Sequence, residues 1–494
     1  MSQLPITRVI NVSVTQTPSG LNSFNPNNVA FFTHEVPGGT FGSLGYKIYT
    51  NALDVATDFG SSAKTTLMAT AGFAQNPNIL SGGGQLIVIP MSNSVSGVTA
   101  IQHVAFSTVP TTGHYDLGYA GNYTADIAAG SNAGAVQTAL RLVAGLGSVT
   151  VAGSEADGFD VTFIGVSGPA SLLTVQHDTL QDTNGYDVFI TPTTTTVGVT
   201  AGSAETLGAA ITRTQGLVQY CGVMETATVN DQTQGNVTAA AIVIQALDLM
   251  GYFVSYTEAD IQPGGTIDLL RTGGYTKSRG RYYGDSTSSG QNAMNFMAEF
   301  VFRGHSVDFS GSRTTLDMNL KQLAGLQPDP SMNNTIGGVT GEAATSGADI
   351  YVSVRGYSCV LVSGANQFWD EVYNALWLRT DLQTAAFNYL AQTNTKIPQT
   401  EEGVTGYKAA LGAVLEQAIT NGYVAPGEWT GSTPFGDPQT LVNNVRATGW
   451  YMYSQPVSQQ SQADRAARKM PLVQVAMKEA GSGETANIIV NIQA

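Results

Sequence analysis

Five histidines, His34, His103, His114, His177 and His305, are what this 494-residue chain has for a metal centre or an imidazole base. None stands at a spacing that brings two imidazoles to one ion, so no histidine site is expected. Residues 182–187, DTNGYD, begin like a calcium loop but lack the downstream acidic ligand. Asn184-Gly185 suits a hairpin turn, which is the expectation here. The glycines at 82–84 precede the strand QLIVIP instead of opening a helix, and no Lys-Ser/Thr follows, which excludes a phosphate loop. Asp370-Glu371 and Glu401-Glu402 are adjacent carboxylates that point in different directions, so neither is an acid/base pair. Cys221 and Cys359 lie in apolar text, VQYCGVM and YSCVLV, and are expected to be buried thiols. Arg465, Arg468 and Lys469 form a basic cluster in a linker, which could meet an acidic neighbour or lie solvated. No catalytic, metal or cofactor site is expected.

Bulk properties narrow the function further. The 21 Lys and Arg against 36 Asp and Glu give a net charge of −15, which argues against nucleic acid or anionic lipid as a partner. Charged residues are 12% of the chain, about half the roughly 25% usual in soluble domains. The surface must therefore be rich in Ser, Thr, Asn, Gln and Gly, as suits close subunit packing or an extracellular or virion protein. The start, MSQLPITRVI, lacks the basic residues and apolar run of a secretion signal, and no apolar segment approaches about 18 residues. Synthesis in the cytoplasm without membrane insertion is the expectation.

The elements are organised around Asn366 to Gln392, the longest amphipathic helix in the text. Asn366 is placed to cap it, and Asp370 and Glu371 suit the positive end of its dipole. Phe368, Val372, Ala375, Leu376, Leu382, Ala386 and Leu390 share one face, interrupted by Arg379, and are expected to be core. Trp377 falls opposite, which marks either a second contact surface or packing on a loop of its own chain. A second helix follows, with Tyr407, Ala410, Leu411, Val414, Leu415, Ala418 and Ile419 in register and Asn421-Gly422 as its stop. The two helices are expected to pack together.

Around them, length suggests about three domains. Ile10, Val12 and Val14 line one side of a strand without a hairpin partner, and linker chemistry follows, so residues 1–28 form an arm and linker. About 15 extended residues at roughly 3.3 Å each span about 50 Å. Residues 29–91 alternate strands VAFFT, YKIYT and QLIVIP with helices at 51–59 and 61–74, half of an α/β sheet domain. From 92 to 201 the text turns Gly- and Thr-rich, with short alternating segments and a helix at 132–144. Residues 101–210 hold one basic residue, Arg141, against nine acidic ones, a balance of −8 out of the chain's −15. This insertion is expected to be an outward, solvated β-rich domain. The α/β pattern resumes over 202–362, with helices at 204–220, 236–250 and 290–302, strands at 221–225, 252–257 and 314–320, and the paired strands DIYVSVRG and YSCVLVSG. Residues 363–455 carry the helices just described, then strand and linker. Residues 456–494 are a linker and a terminal strand, with Ile488, Val490 and Ile492 on its apolar face. PLVQVAMK pairs either with that strand or with another subunit's sheet.

The order of these segments resembles the tail sheath proteins of contractile phages. The runs YTNALDVATDFGSSAKTTLMATAGFAQNPN before QLIVIP, TTLDMNLKQLAGLQPDPSM, and ADIYVSVRG leading to FWDEVYNALWLRTDLQ are similar to the sheath-like family long catalogued as a phage protein of unknown function. The resemblance covers nearly the whole chain and is weakest in the insertion. It implies a mixed α/β, multi-domain fold: a split α/β core, an inserted β-rich outer domain and extended terminal β-strand arms. It implies a structural, non-enzymatic subunit that forms stacked hexameric rings around an inner tube and contracts to drive that tube through the host envelope. Implied partners are other copies of the chain, the tail tube protein, and the baseplate and tail terminator proteins. Implied inter-subunit strands are Ile6 to Val14 and Thr485 to Ile492, including Ile6, Ile10, Val12, Val14, Ile488, Val490 and Ile492. Trp377, Arg465, Arg468 and Lys469 are further interface candidates. A β-rich surface or adhesin-type protein would share the polar composition, but the absent signal and central helices oppose it. A glycan-degrading tail enzyme would need paired carboxylates on a repetitive β fold, and no such repeat is present.

Overall fold

The computed structural model describes residues 25–39, 41–42, 44–284, 290–332, 338–432 and 435–486. The arm residues Ile6, Ile10, Val12, Val14, Ile488, Val490 and Ile492 lie outside them. The fold is mixed α/β, and the chain divides into two compact units, one made of residues 92–205 and the other of the chain on either side.

The larger unit begins with β1 (Val29–Thr33), β2 (Lys47–Tyr49), α1 (Ala52–Phe59), α2 (Lys64–Phe73) and β3 (Leu86–Pro90). Asn51 caps α1 through its side chain, which accepts from Asp54 N at 2.9 Å.

The smaller unit then follows as β4 (Ile101–Phe106), β5 (His114–Tyr119), β6 (Asn122–Tyr123), β7 (Ile127–Ala128), α3 (Ala133–Arg141), β8 (Thr150–Ser154), β9 (Gly158–Thr162), β10 (Thr174–Gln176) and β11 (Ile190–Thr196). Its strands form an antiparallel sheet in the order β11-β4-β9-β8 and a second sheet around β5. Val104, Tyr115, Leu117, Phe159 and Val161 from these strands close its core with Val136 and Leu140 of α3.

The larger unit resumes with α4 (Leu207–Thr214), β12 (Gly222–Glu225), α5 (Gln234–Ala246), β13 (Met250–Ser255), α6 (Thr266–Thr272), β14 (Ser278–Tyr282), α7 (Gln291–Gly304), α8 (Val339–Ser346), β15 (Ala348–Val354) and β16 (Tyr357–Leu361). Eight strands join in the order β16-β15-β14-β13-β12-β1-β3-β2, parallel except for β2 and β16 at the edges. Strands such as VAFFT and LIVIP are apolar nearly throughout because both faces are covered. Val29, Phe31 and Val88 face α2 and α7, whereas Ala30, Phe32 and Ile87 face α4 and α5.

The C-terminal part is α9 (Trp369–Gln392), α10 (Glu401–Thr420), α11 (Pro438–Thr448), β17 (Trp450–Ser454), α12 (Gln462–Ala466) and β18 (Val473–Met477). Leu411, Leu415 and Ala418 of α10 are buried in the core that α9 also enters, and Asn421 with Gly422 at φ 93° ends α10. Among the described residues, no helix is long and apolar enough to cross a membrane.

Several local expectations give way. The helix expected over 204–220 is only Leu207–Thr214, because Gln215 leaves helical geometry and Gly216 turns to φ 84°. Residues 314–320 are not a strand: their backbone meets a helix end, with Thr314 N donating to Asn421 O at 3.0 Å, and touches β16 where Leu320 N donates to Val360 O at 2.8 Å. Residues 438–448, expected as strand and linker, form α11, and its start carries Asp437 as N-cap and Pro438 in the first turn. Asn366 does not cap α9; its amide donates to Tyr275 O at 3.1 Å, and Phe368 holds the cap position without a side-chain bond. On α9, Ala375 and Leu390 are exposed, against expectation. The strand in PLVQVAMK pairs with β17, with Trp450 opposite Met477 and Ser454 opposite Val473.

Candidate functional site

The chemical candidates resolve into structural roles. His103 Nδ1 lies 2.7 Å from Asp160 Oδ1, His177 Nδ1 lies 2.7 Å from Asp116 Oδ2, and His114 Nε2 lies 3.6 Å from Asp126 Oδ2. Among the described residues, no group of three or more His, Cys, Asp or Glu is placed to hold a metal ion. Asp182 closes its own turn by accepting from Asn184 N at 2.8 Å and Tyr186 N at 2.9 Å, with Gly185 at φ 80°. Those N–H groups, led by that of Tyr186, hold the Asp182 carboxyl below its ordinary range. Both cysteines are buried, and burial pushes the Cys221 thiol up to about 12. Glu401 accepts from Val457 N at 2.7 Å, a structural contact.

The centre of the larger unit is a buried ionic triad. Asp349 on β15 accepts from Arg279 Nη2 at 3.0 Å, and its other oxygen lies 3.3 Å from Arg281 Nη2. Arg281 is fully buried, its guanidinium 3.8 Å from the Phe300 ring centre and 4.8 Å from that of Tyr252. Burial pulls its pKa down to about 10, so it keeps its charge at neutral pH. Arg279 also bonds Ser363 O at 2.9 Å and Gln367 O, which ties the sheet to the chain entering α9.

That chain carries the aromatic residues that hold the start of the described structure. Trp369 Nε1 donates to Tyr252 Oη at 3.1 Å, and Tyr252 Oη donates to His305 Nε2 at 2.5 Å. His305 Nδ1 then donates to Pro26 O at 2.8 Å, which sets the ring's tautomer. Burial pushes His305 down to about 3, so it stays neutral. Next to it, Asn27 gives its amide to Gly82 O and Val307 O at 2.8 Å each and accepts from Tyr373 Oη. A Cβ on Gly82 or Gly84 would overlap Asn27, so the glycine run gives clearance for this root of the N-terminal segment. Asn27, His305 and Tyr373 carry no sequence motif; their partners lie from 53 to 346 positions away.

Trp377 is 3% exposed and stacks on Phe309 with ring centres 4.8 Å apart and planes 5° off parallel. The contact-surface expectation for Trp377 is therefore corrected: the ring packs on a loop of its own chain. Arg379, which interrupts the apolar face, reaches Asp248 Oδ1 at 2.6 Å. Arg465, Arg468 and Lys469 are exposed, with Lys469 Nζ 3.0 Å from Asp464 Oδ1.

The ribbon of β17 and β18 is covered on both faces. Val473, Val475 and Met477 pack on the core shared with α9 and α10, while Ala476 lies buried with Leu441 and Val445 of α11. Among the described residues, neither outer edge of Trp450–Ser454 or Val473–Met477 has a further strand beside it.

Residues 369–492 match the family model of the E217 tail sheath protein gp31-like C-terminal domain. The fold of the whole chain is similar to chains solved in the anti-feeding prophage assembly. One, from its six-fold symmetrised baseplate, is 11% identical with a TM-score of 0.51 over 100% of both chains. Another, from its helical sheath in the contracted state, is 10% identical with a TM-score of 0.51 over 98% of both. No curated protein matches by sequence. The C-terminal quarter of the chain is thus similar to a tail sheath domain, and the whole chain shares the fold of these baseplate and contracted-sheath chains. Within the sheath fold, the matched region begins with α9 and contains the ribbon.

Proposed function

We propose that the chain is the sheath subunit of a contractile phage tail, assembled in the host cytoplasm as stacked hexameric rings around the tail tube. Contraction of the polymer drives the tube through the host envelope and permits genome ejection. The baseplate and tail terminator proteins bound the polymer at its ends. The observation that carries this reading is the ribbon of β17 and β18, covered on both faces and, among the described residues, without a further strand on either outer edge. An open edge is a template for an added strand. The segments Ile6 to Val14 and Thr485 to Ile492 alternate as such strands do, and each edge is a place for one from a neighbouring copy. If one arm forms about six backbone hydrogen bonds at roughly 0.5–1.5 kcal/mol each, a junction gains several kcal/mol. Such junctions hold subunits together while their bodies move. The basic cluster Arg465, Arg468 and Lys469 lies between the two ribbon strands and is a further inter-subunit contact in this reading.

Electron microscopy of the purified chain beside a version lacking residues 1–15 and 485–494 tests it. Rings or hollow tubes from the full chain, with a monomeric truncated chain, support it. Soluble monomers from both, even with a tube protein present, overturn it.

A further inference from the structure

Arg465 and Arg468 are exposed on the connection between β17 and β18. Cations are scarce in this chain, 21 against 36 acidic residues. Elsewhere they are used internally, as in Lys47 with Asp58, Arg271 with Asp268 and Arg446 with Glu428. Lys469 is bonded to Asp464, but among the described residues neither Arg465 nor Arg468 has an ion-pair partner. Two unpaired guanidinium groups therefore stand together on the surface.

The complementary chemistry lies at the root of the N-terminal segment. Asn25 and Pro26 border a cavity of about 290 Å³ that Asp308, Trp377, Asp381 and Gln417 also line. Trp377 and Asp381 are one turn apart on α9, so they share a face. Asp308 Oδ1 accepts from Ser310 N at 3.0 Å and from Ser310 Oγ at 2.6 Å, and among the described residues no donor is bonded to its Oδ2. Gln417 gives its amide N–H groups to Phe309 O at 2.9 Å and Gly311 O at 3.3 Å, which leaves its side-chain oxygen as an acceptor. Among the described residues that line the cavity there is no Lys, Arg or His. Two carboxylates, an amide oxygen and an aromatic ring suit a guanidinium group, which carries five donors and stacks on aromatic surfaces.

The two features do not meet within one copy. The connection that carries the arginines is strapped to the start of α10, where Val457 N donates to Glu401 Oε1 at 2.7 Å and Gln399 Nε2 donates to Lys469 O at 2.9 Å. Gln417 lies 16 residues further along the same helix. At 1.5 Å per residue that is about 24 Å, a gap no arginine side chain spans. We propose that the cavity beside Asn25 is a socket for Arg465 and Arg468 of a second copy of the chain. Two positive charges then meet Asp308 and Asp381, in the geometry that favours strong Arg–carboxylate bonds. Because the two surfaces differ, the contact is heterologous and repeats head to tail, as a ring or a helical stack requires. The inference rests on the assembly reading above and deepens it: terminal strands link copies at their edges, whereas this contact joins their bodies.

Two full-length preparations test it, one carrying Ser312→Cys beside the socket and the other Ala467→Cys between the arginines, both at exposed positions. The native cysteines are buried and do not compete. Under mild oxidation the mixture is expected to give disulfide-linked pairs in about tenfold excess over either preparation alone. Asp308→Lys in the first chain, or Arg468→Glu in the second, should each lower that yield about tenfold, and the two together should restore much of it. Linked pairs no more abundant in the mixture than in the single preparations overturn the socket. So does a yield that falls with Arg8→Gln but not with Arg468→Glu, which assigns the cavity to the chain's own N-terminal segment. Tubes that form without the linkage overturn the socket alone. Linked pairs from a chain that forms no rings or tubes support the socket and overturn the sheath assembly.

Discussion

The eight-stranded sheet closes its own edges, and the ribbon of β17 and β18 leaves its edges open. At one end of the large sheet, β2 is three residues long and carries Lys47, bonded to Asp58 at 2.6 Å. At the other, Val360 of β16 bonds Leu320 and Lys321 through both its backbone groups. Short, charged or covered edges do not recruit other strands. The ribbon has partly buried residues on both faces, with Met452 and Ala476 buried, and no further strand along either edge among the described residues. Side-chain cover and edge closure are thus separable: the large sheet has both, whereas the ribbon has cover on its faces without a strand on its outer edges among the described residues.

The comparison breaks first at the triad, if the body is less self-sufficient than its contacts indicate. Asp349→Ala would leave Arg279 and Arg281 buried without their carboxylate. A loss of about 4 kcal/mol in urea unfolding of the isolated chain is expected. A loss below 1 kcal/mol would mean that water reaches the guanidinium groups.

A smaller effect separates packing from contact at Trp377. Trp377→Ala should cost about 3 kcal/mol in the isolated chain because it empties the stack on Phe309. Unchanged unfolding combined with weakened assembly would restore the contact-surface role.

The smallest effect sharpens the account of the body by its pH dependence. Burial holds Glu299 of α7 up at about 8, above the ordinary 4.5, with Leu326 and Gln75 opposing. In the unfolded chain this carboxyl ionises near 4.5, while the folded chain keeps the proton. Its contribution to stability is therefore complete below about 4.5 and is lost as pH rises through about 8. Glu299→Gln should flatten that fall, with a gain of about 2 kcal/mol at pH 9 relative to pH 4. Unfolding curves for parent and variant that run parallel from pH 4 to pH 9 would place Glu299 in contact with solvent.

What the sequence makes legible is local. Runs such as VAFFT and LIVIP announced strands covered on both faces, because a strand with one wet face alternates. The spacing of Leu411, Leu415 and Ala418 and the stop at Asn421-Gly422 marked α10, since periodicity and capping act within a turn or two. The Asp437-Pro438 start of α11 is equally local, but the strand-like text that follows it outweighs it in the sequence. Other features depended on what the fold brought near. Helical periodicity placed Trp377 opposite the apolar face, but the loop carrying Phe309 covers that side. PLVQVAMK had the pattern of a strand, but pattern does not name a partner, and β17 took that place. The clamp of Asn27 by Tyr373, 346 positions apart, and the meeting of Ser482 with Asp370, 112 apart, were decided by tertiary structure alone. The physical reason is range: propensity and periodicity act between near neighbours in the chain, whereas a buried hydrogen bond or carboxylate pair exists only when packing excludes water around groups from distant segments.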